Sequence, residues 1–263
     1  FHHHIGVAHV EAGLRSHDPT LPFPEEVNRR MASVIARWHF APTDGAAANL
    51  RREGIVDGVH VVGNTIVDAV RGIGAERSAL PSEVASFVAE APYLLATAHR
   101  RESWDGGIGA IATALSEVLA ARADLRLVFA THPNPIARGP VDAVLGDEPR
   151  AMVVDALPYP AFLALLAGAR LAISDSGGVQ EEGPTLGVPV LVTRDTTERP
   201  EGIEAGAVRI VGTDAVTVRA ATLELLDDPA RLAAMAGAGR GIYGDGTAAR
   251  RIVEVLAREA FDA

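Results

Sequence analysis

The sequence predicts an α/β protein with two domains, each built on a parallel sheet, the first of them incomplete. The main observation is that short β-branched runs alternate with longer segments rich in Ala and Leu from residue 93 to residue 226. Such alternation is typical of doubly wound parallel sheets with helices on both faces. A shorter series of the same kind occupies the first ninety residues, and 263 residues suffice for two domains of ordinary size.

The larger series contains six predicted strands and five predicted helices. The strands are 93–98, 125–131, 151–155, 171–174, 188–192 and 208–211. The helices are 108–122, 136–145, 161–167, 179–186 and 215–226.

The shorter series has only three strands. Its strands are 5–10, 38–41 and 59–62, and its helices are 25–36, 44–53 and 65–71. A doubly wound sheet usually has five or six strands, so we expect the first domain to continue upstream of Phe1. Without those neighbours, 5–10 and 59–62 would expose apolar faces, and we expect the fragment to aggregate or dimerise.

The predicted boundaries follow from these elements. Residues 1–70 form the remaining part of the first domain, and 71–92 form a crossing segment. Residues 93–242 form the second domain, and a break at 243–246 precedes a last helix at 248–258.

Composition excludes several classes of chemistry. The net charge of −10 and the absence of a dense basic cluster argue against a nucleic-acid partner, and no apolar run approaches the roughly 18 residues of a membrane span. The chain has no Cys, and all 24 of its basic residues are Arg. Thiolate catalysis, a Schiff base and the lysine of a P-loop are therefore excluded. His2, His3 and His4 are interpreted as natural sequence, and no metal site is predicted.

Polar segments follow the predicted strands, at the sheet edge where open α/β folds bind ligands. Glu11 and Arg15 follow the first strand in HVEAGLRS, where they bind a ligand or simply pair with each other. In PFPEEVNRR, Pro24 suits the first helical position. Glu25 suits the positive end of a helix, and it lies four residues before Arg29, so a purely structural explanation stays open.

The second domain carries similar segments. His99, Arg100, Arg101, Glu102 and Ser103 follow strand 93–98, which favours an anion or diphosphate site over a solvated loop. His132 follows the next strand, within a turn that its prolines and Asn would form without any ligand. A long polar segment, RDTTERPEG, follows strand 188–192.

The most specific local signal is SDSGGVQEE. Ser176 can cap the helix that follows, and Gly177 and Gly178 let phosphate oxygens approach the backbone at a helix N-terminus. Glu182 lies within that helix, where its carboxylate can accept hydrogen bonds from ribose hydroxyls. Tight packing of the helix on the sheet is the alternative explanation for the two glycines.

Taken in order, these segments resemble the non-hydrolysing UDP-N-acetylglucosamine 2-epimerases over essentially the whole chain. The motifs are HVEAGLRS, PFPEEVNRR, VVGNTIVDAV, AHRRES, THPNP, SDSGGVQEEGPTLGVPVLV, RDTTERPEG and YGDG. The resemblance implies a glycosyltransferase-B-type architecture, with two Rossmann-like domains facing a cleft and a C-terminal helix that returns to the first domain.

The resemblance also implies roles for individual residues. Glu11, Glu25, Arg29 and His99 match catalytic positions, with His99 also at the UDP. The positions that match UDP-binding residues are Ser176, Gly177, Gly178, Glu182, Arg199 and Phe162. Arg199 is grouped with the UDP-binding residues of the second domain. Arg100 and His132 match a neighbouring site at which bacterial members bind UDP-GlcNAc as an activator.

The implied reaction is the interconversion of UDP-GlcNAc and UDP-ManNAc by elimination of UDP to 2-acetamidoglucal and re-addition. It needs carboxylates at the sugar and positive groups at the diphosphate, and no redox cofactor. A cytoplasmic homodimeric enzyme of polysaccharide biosynthesis is implied. The family's Gly-rich first turn and an essential Asp would lie before Phe1, so we expect residues 1–263 to bind UDP weakly and turn over slowly. A glycosyltransferase of the same fold and a non-catalytic nucleotide-sugar sensor are the rival interpretations.

Overall fold

The computed structural model describes residues 2–100 and 103–260, and it divides the chain into two compact units. The first unit comprises the residues up to Gly72, the segment Thr196–Glu201 and the residues from Gly241 onward. The second unit comprises Ile73–Asp195 and Gly202–Arg240. Arg101 and Glu102 of the predicted polar loop lie outside the described residues.

Strands and helices alternate along the described chain. The strands are β1 Ala8–Val10, β2 Trp38–Ala41, β3 Val59–Val61, β4 Tyr93–Thr97, β5 Arg126–Ala130, β6 Ala151–Val154, β7 Leu171–Ser174, β8 Val190–Val192 and β9 Val208–Ile210. The helices are α1 Glu25–Ile35, α2 Asp44–Arg52, α3 Thr65–Ile73, α4 Ser82–Ala89, α5 Gly107–Ala121, α6 Pro135–Leu145, α7 Tyr159–Gly168, α8 Val179–Leu186, α9 Pro200–Glu204, α10 Ala215–Asp227, α11 Pro229–Ala238 and α12 Ala248–Ala260. A short 3₁₀ helix spans Arg77–Ala79.

Both sheets are parallel, so the predicted α/β class is confirmed. The sheet of the first unit has the order β1-β2-β3. The sheet of the second unit has the order β6-β5-β4-β7-β8-β9. The chain runs outward from β4 to β6 and then returns to β7 on the other side of β4. The loops that follow β4 and β7 therefore meet at the topological switch point, where open α/β sheets bind ligands.

The second unit has the larger core. Leu94 of β4, Leu127 and Phe129 of β5 and Ile173 of β7 are fully buried, and they belong to one cluster with Leu115 of α5. Continuous apolar strands of this kind are expected where helices cover both faces of a parallel sheet.

The sheet of the first unit differs in detail from the prediction. Strand β1 is shorter than the predicted 5–10, because its pairing begins at Ala8 opposite Trp38, where β2 itself begins. Ile5, Val10 and Val61 are exposed as expected, whereas Val62 is buried in a cluster with Ile252 of α12.

Three helices were not predicted. The crossing segment 71–92 contains α4, whose Val84, Phe87 and Val88 are buried at helical spacing. Helix α9 begins at Pro200 within the polar segment RDTTERPEG. Helix α11 begins at Pro229 after Asp228, whose side chain accepts a hydrogen bond from the backbone N–H of Arg231. Among the helices that the structure describes, none is long and apolar enough to cross a membrane.

Candidate functional site

A pocket of about 370 Å³ lies in the second unit, beside the carboxyl ends of β4, β5 and β7. Its volume is within the usual range for small-molecule sites. The pocket is lined by six residues that were selected from the sequence: His99, His132, Phe162, Ser176, Gly178 and Glu182. His132, expected at a neighbouring activator site, thus shares this pocket with five of the positions expected to bind UDP.

The turn between β7 and α8 forms one wall of the pocket. The Ser174 hydroxyl accepts a hydrogen bond from the backbone N–H of Ser176 at 3.0 Å and shares one with the Thr97 hydroxyl at 2.6 Å. These bonds tie the turn to the neighbouring strand β4. The predicted helix cap at Ser176 is wrong, because α8 begins at Val179 and Gly178 occupies the capping position.

Gly178 is not required by packing on the sheet. Its φ of −62° is accessible to any residue. A Cβ built there would approach only the Glu182 carboxylate, at 3.6 Å or more, which is an ordinary van der Waals distance. Tight helix-on-sheet packing therefore does not explain this glycine. The position instead leaves the backbone at the start of α8 open to the pocket, and unpaired N–H groups at a helix N-terminus stabilise anions.

Glu182 is held in the pocket by Tyr159, a residue that the sequence reasoning missed. The Tyr159 hydroxyl donates a hydrogen bond to Glu182 Oε1 at 2.8 Å, and both residues line the pocket. Burial, together with the neighbouring Glu182 carboxylate, raises the pKa of the Tyr159 phenol, so the phenol stays protonated and donates. Glu182 keeps further acceptor capacity, because a carboxylate has about four lone-pair sites.

The loop after β4 is fastened to Asp175, which follows β7. Asp175 Oδ2 accepts the backbone N–H groups of His99 and Arg100, each at 2.8 Å. Asp175 Oδ1 lies 3.3 Å from His99 Nδ1. Asp175 stands inside the SDSGG motif, but no role was assigned to it from the sequence.

Glu11, Arg29 and Arg199 belong to one chain of polar contacts in the first unit. Glu11 Oε1 accepts from Asn64 Nδ2 at 3.4 Å and from Arg199 Nη2 at 3.3 Å. Arg199 Nη1 donates to Glu198 Oε1 at 2.5 Å, and the same oxygen accepts from Arg29 Nη2 at 3.5 Å. Asn64 and the fully buried Glu198 lie within quoted motifs, and both were missed as members of this cluster.

Two expectations about this cluster need correction. Arg15 does not pair with Glu11; it makes a two-pronged ion pair with Glu53, at 2.8 and 2.7 Å. Arg199, which the sequence grouped with the second domain, belongs to the first unit. Glu53 is distant from Arg15 along the chain, and Glu11 is distant from Arg199, so the local motifs do not reveal these pairs.

Glu25 lies in the first turn of α1, where the helix dipole favours a carboxylate. Pro24 occupies the capping position instead of the first helical position. An i,i+4 ion pair of this helix joins Glu26 and Arg30 at 3.0 Å, while Arg29 reaches Glu198.

No group of three or more His, Asp or Glu side chains in ranges 2–100 and 103–260 is placed to hold a cation.

The chain is similar to known proteins over nearly its whole length. The profile described as UDP-N-acetylglucosamine 2-epimerase matches residues 1–257. The UDP-N-acetylglucosamine 2-epimerase of Escherichia coli K12 is 42% identical over 264 residues, which cover 97% of this chain and 70% of that protein. The enzyme of the same name from Bacillus subtilis is 42% identical over 257 residues, which cover 97% of this chain and 67% of that protein.

Solved structures include a similar fold of the glycosyltransferase-B type. The crystal structure of UDP-GlcNAc 2-epimerase from Neisseria meningitidis bound to UDP-GlcNAc matches with a TM-score of 0.92 and 37% identity. The match covers 98% of this chain and 71% of that one. The resemblance found in the motifs is confirmed, and this chain belongs to the UDP-N-acetylglucosamine 2-epimerase family.

Proposed function

We propose that this chain is a UDP-GlcNAc 2-epimerase, which binds UDP in the pocket of the second unit and interconverts UDP-GlcNAc and UDP-ManNAc. The observation that carries the proposal is the convergence of His99, Phe162, Ser176, Gly178 and Glu182 on one pocket. These residues come from the loops or helices that follow β4, β6 and β7.

The chemistry of the pocket suits a nucleoside diphosphate. The open backbone at Gly178 and the N-terminus of α8 suit the diphosphate, and the hydroxyl of Ser176 can donate to it. Glu182 can accept hydrogen bonds from ribose hydroxyls, and Phe162 supplies an aromatic face for the base. Gly177 lies in the turn between β7 and α8. This arrangement uses no Lys, in agreement with a chain that has none.

The reaction proceeds by elimination and re-addition. The C2 hydrogen of an intact sugar is not acidic, so a base removes it as UDP leaves C1, giving 2-acetamidoglucal. The C1–O bond breaks with its electron pair going to UDP. UDP then adds back to C1 as C2 takes a proton on the other face. Glu11 and Glu25 are the proposed proton-transfer groups, and Arg29 is a further proposed catalytic group. His99 and Arg199 are the groups proposed to stabilise charge on the leaving UDP.

The proposal also includes regulation and assembly. Arg100 and His132 would take a second UDP-GlcNAc as an activator; His132 already lines the pocket, and Arg100 directly follows His99. A cytoplasmic homodimer is the state that family membership suggests.

The test follows the C2 hydrogen in deuterium oxide. We expect UDP-GlcNAc to give UDP-ManNAc with deuterium at C2, because the removed proton exchanges with solvent before re-addition. Small amounts of 2-acetamidoglucal and UDP should appear, without added nicotinamide cofactor or divalent metal. NMR of the sugar ring measures the exchange, and a Glu11→Gln variant, which lacks one proposed acid–base group, should reduce it at least a hundredfold.

Product that retained its C2 hydrogen would contradict the elimination mechanism. A reaction that required an acceptor and left C2 protonated would indicate a glycosyltransferase instead. Binding of UDP without any exchange at C2 would indicate a nucleotide-sugar sensor.

A further inference from the structure

Asp175 is a fully buried carboxylate at the switch point of the second sheet. A buried carboxylate is costly unless hydrogen bonds satisfy it. Two backbone N–H groups satisfy Oδ2, those of His99 and Arg100. Within the described part of the chain Oδ1 accepts no hydrogen bond, and His99 Nδ1 lies 3.3 Å from it.

The position of the proton on His99 follows from this geometry. If Nδ1 carried a lone pair, it would face the carboxylate oxygen and the two would repel. A hydrogen on Nδ1 is instead attracted to Oδ1 across the 3.3 Å contact. In a neutral imidazole this leaves Nε2 as the unprotonated nitrogen, since only one ring nitrogen then carries a proton.

We propose that Asp175 is a positioning residue, which fixes the His99 ring with Nδ1 protonated and so presents Nε2 to the pocket. The same carboxylate anchors the backbone of the loop after β4, so ring and loop are held by one side chain. This arrangement of the ring does not depend on UDP. Its consequence for UDP rests on the proposed function: a ring held in one orientation needs no reordering when the diphosphate binds.

Asp175→Asn is the informative variant because the amide keeps an acceptor for the two backbone N–H groups but replaces the oxygen that faces His99 with a donor. Its carbonyl oxygen can accept the same two backbone N–H groups. Its NH₂ group then faces His99 Nδ1 and donates to it, which favours the tautomer with the proton on Nε2. The control is Asp155→Asn, since Asp155 follows β6 as Asp175 follows β7 but has an exposed carboxylate that pairs with Arg138.

The measurement is ¹⁵N NMR of the histidine ring nitrogens at about pH 8.5, well above the ordinary histidine pKa. The chain has nine histidines, so subtraction of a His99→Gln spectrum assigns the signals. We expect His99 to carry its proton on Nδ1 in the wild-type protein and in Asp155→Asn, and on Nε2 in Asp175→Asn. A wild-type His99 protonated on Nε2 would overturn the proposal, and this result does not depend on the folding of any aspartate variant.

Calorimetry with UDP separates this inference from the proposed function. We expect Asp175→Asn to weaken UDP binding about tenfold, which corresponds to about 1.4 kcal/mol, and Asp155→Asn to leave it unchanged. If the wild-type protein has the Nδ1 proton but binds no UDP, the proposed function fails and the positioning role stands. If the tautomer is the same in the wild-type protein and Asp175→Asn, with native circular dichroism in both, the positioning role fails whatever UDP does.

Discussion

At the scale of single residues, the first unit places a half-buried histidine, His9, beside a buried one, His39. His9 of β1 pairs in register with His39 of β2, so both side chains lie on the same face of the sheet. Burial lowers the pKa of His9, and His39 and Arg15 add repulsion against its charged form. Burial also lowers the pKa of His39.

These shifts predict a loss of stability in mild acid. Below the ordinary histidine pKa of about 6.5 the unfolded chain takes up protons that the folded chain resists, so lowering the pH favours unfolding. We expect the free energy of unfolding of the first unit to fall by about 1 kcal/mol between pH 7.5 and 5.5, as measured by urea titration at each pH. The carboxylate of Glu53, whose pKa Arg15 lowers, contributes only at still lower pH.

A His9→Gln variant tests the assignment, because it removes the titrating group. The pH dependence of its unfolding should be smaller than in the wild-type protein, whereas His3→Gln, at an exposed position, should change nothing. Equal slopes for His9→Gln and wild type would show that His9 makes no contribution.

At the scale of elements, ligand binding explains Gly178 at the start of α8 better than the stability of the helix does. Gly178→Ala adds a methyl group beside the Glu182 carboxylate without a clash. We expect stability to change by less than about 0.5 kcal/mol, while the Kd for UDP rises at least tenfold because the methyl group occupies the diphosphate approach. Calorimetry measures the binding and urea titration the stability.

The control is Gly237→Ala. Gly237 lies inside α11, between two alanines, and a Cβ there meets nothing within 4 Å. Alanine should stabilise that helix by about 0.5–1 kcal/mol and leave UDP binding unchanged. Unchanged UDP affinity in Gly178→Ala would mean that the diphosphate binds elsewhere.

Individual helices and strands differ in how closely their bounds follow the prediction from the sequence. Strands β2 and β7 and helix α8 have the predicted bounds, because Pro42 and Asp175 follow the strands and Gly178 and Gly187 flank the helix. Helix α4 was missed because it is only eight residues long and stands in a segment interpreted as a crossing.

At the scale of the whole molecule, the last helix contributes to the core of the first unit. Ile252 of α12 is buried with Trp38, Phe40 and Val62. Trp38 Nε1 also donates to Glu259 of the same helix at 3.1 Å. The stability of the first unit therefore depends on residues near the end of the chain.

Ile252→Ala tests this dependence. The chain has two tryptophans, so in a Trp104→Phe background Trp38 fluorescence reports on the first unit. We expect Ile252→Ala to lower the free energy of unfolding followed by Trp38 by about 2–3 kcal/mol, from lost burial and an incompletely filled cavity. Leu225→Ala, in the core of the second unit, should shift this transition less. Equal shifts would mean that the two units unfold together.

The sequence by itself determined the fold class, the family and six of the residues that line the pocket. Alternating apolar segments predict a parallel sheet, and the pocket motifs are contiguous runs such as SDSGGVQEE that follow strands. The functional groups of such a turn lie within a few positions of one another, so a single sequence can reveal them.

Only the tertiary structure decided which charged groups meet. Arg15 pairs with Glu53 across 38 positions, and Arg199 reaches Glu11 across 188. Asp175 binds the backbone at His99 across 76 positions, and Tyr159 reaches Glu182 across 23. No local spacing rule connects such residues, because sheet order and loop direction bring them together. The partners that orient the site's charged residues were therefore decided by the fold.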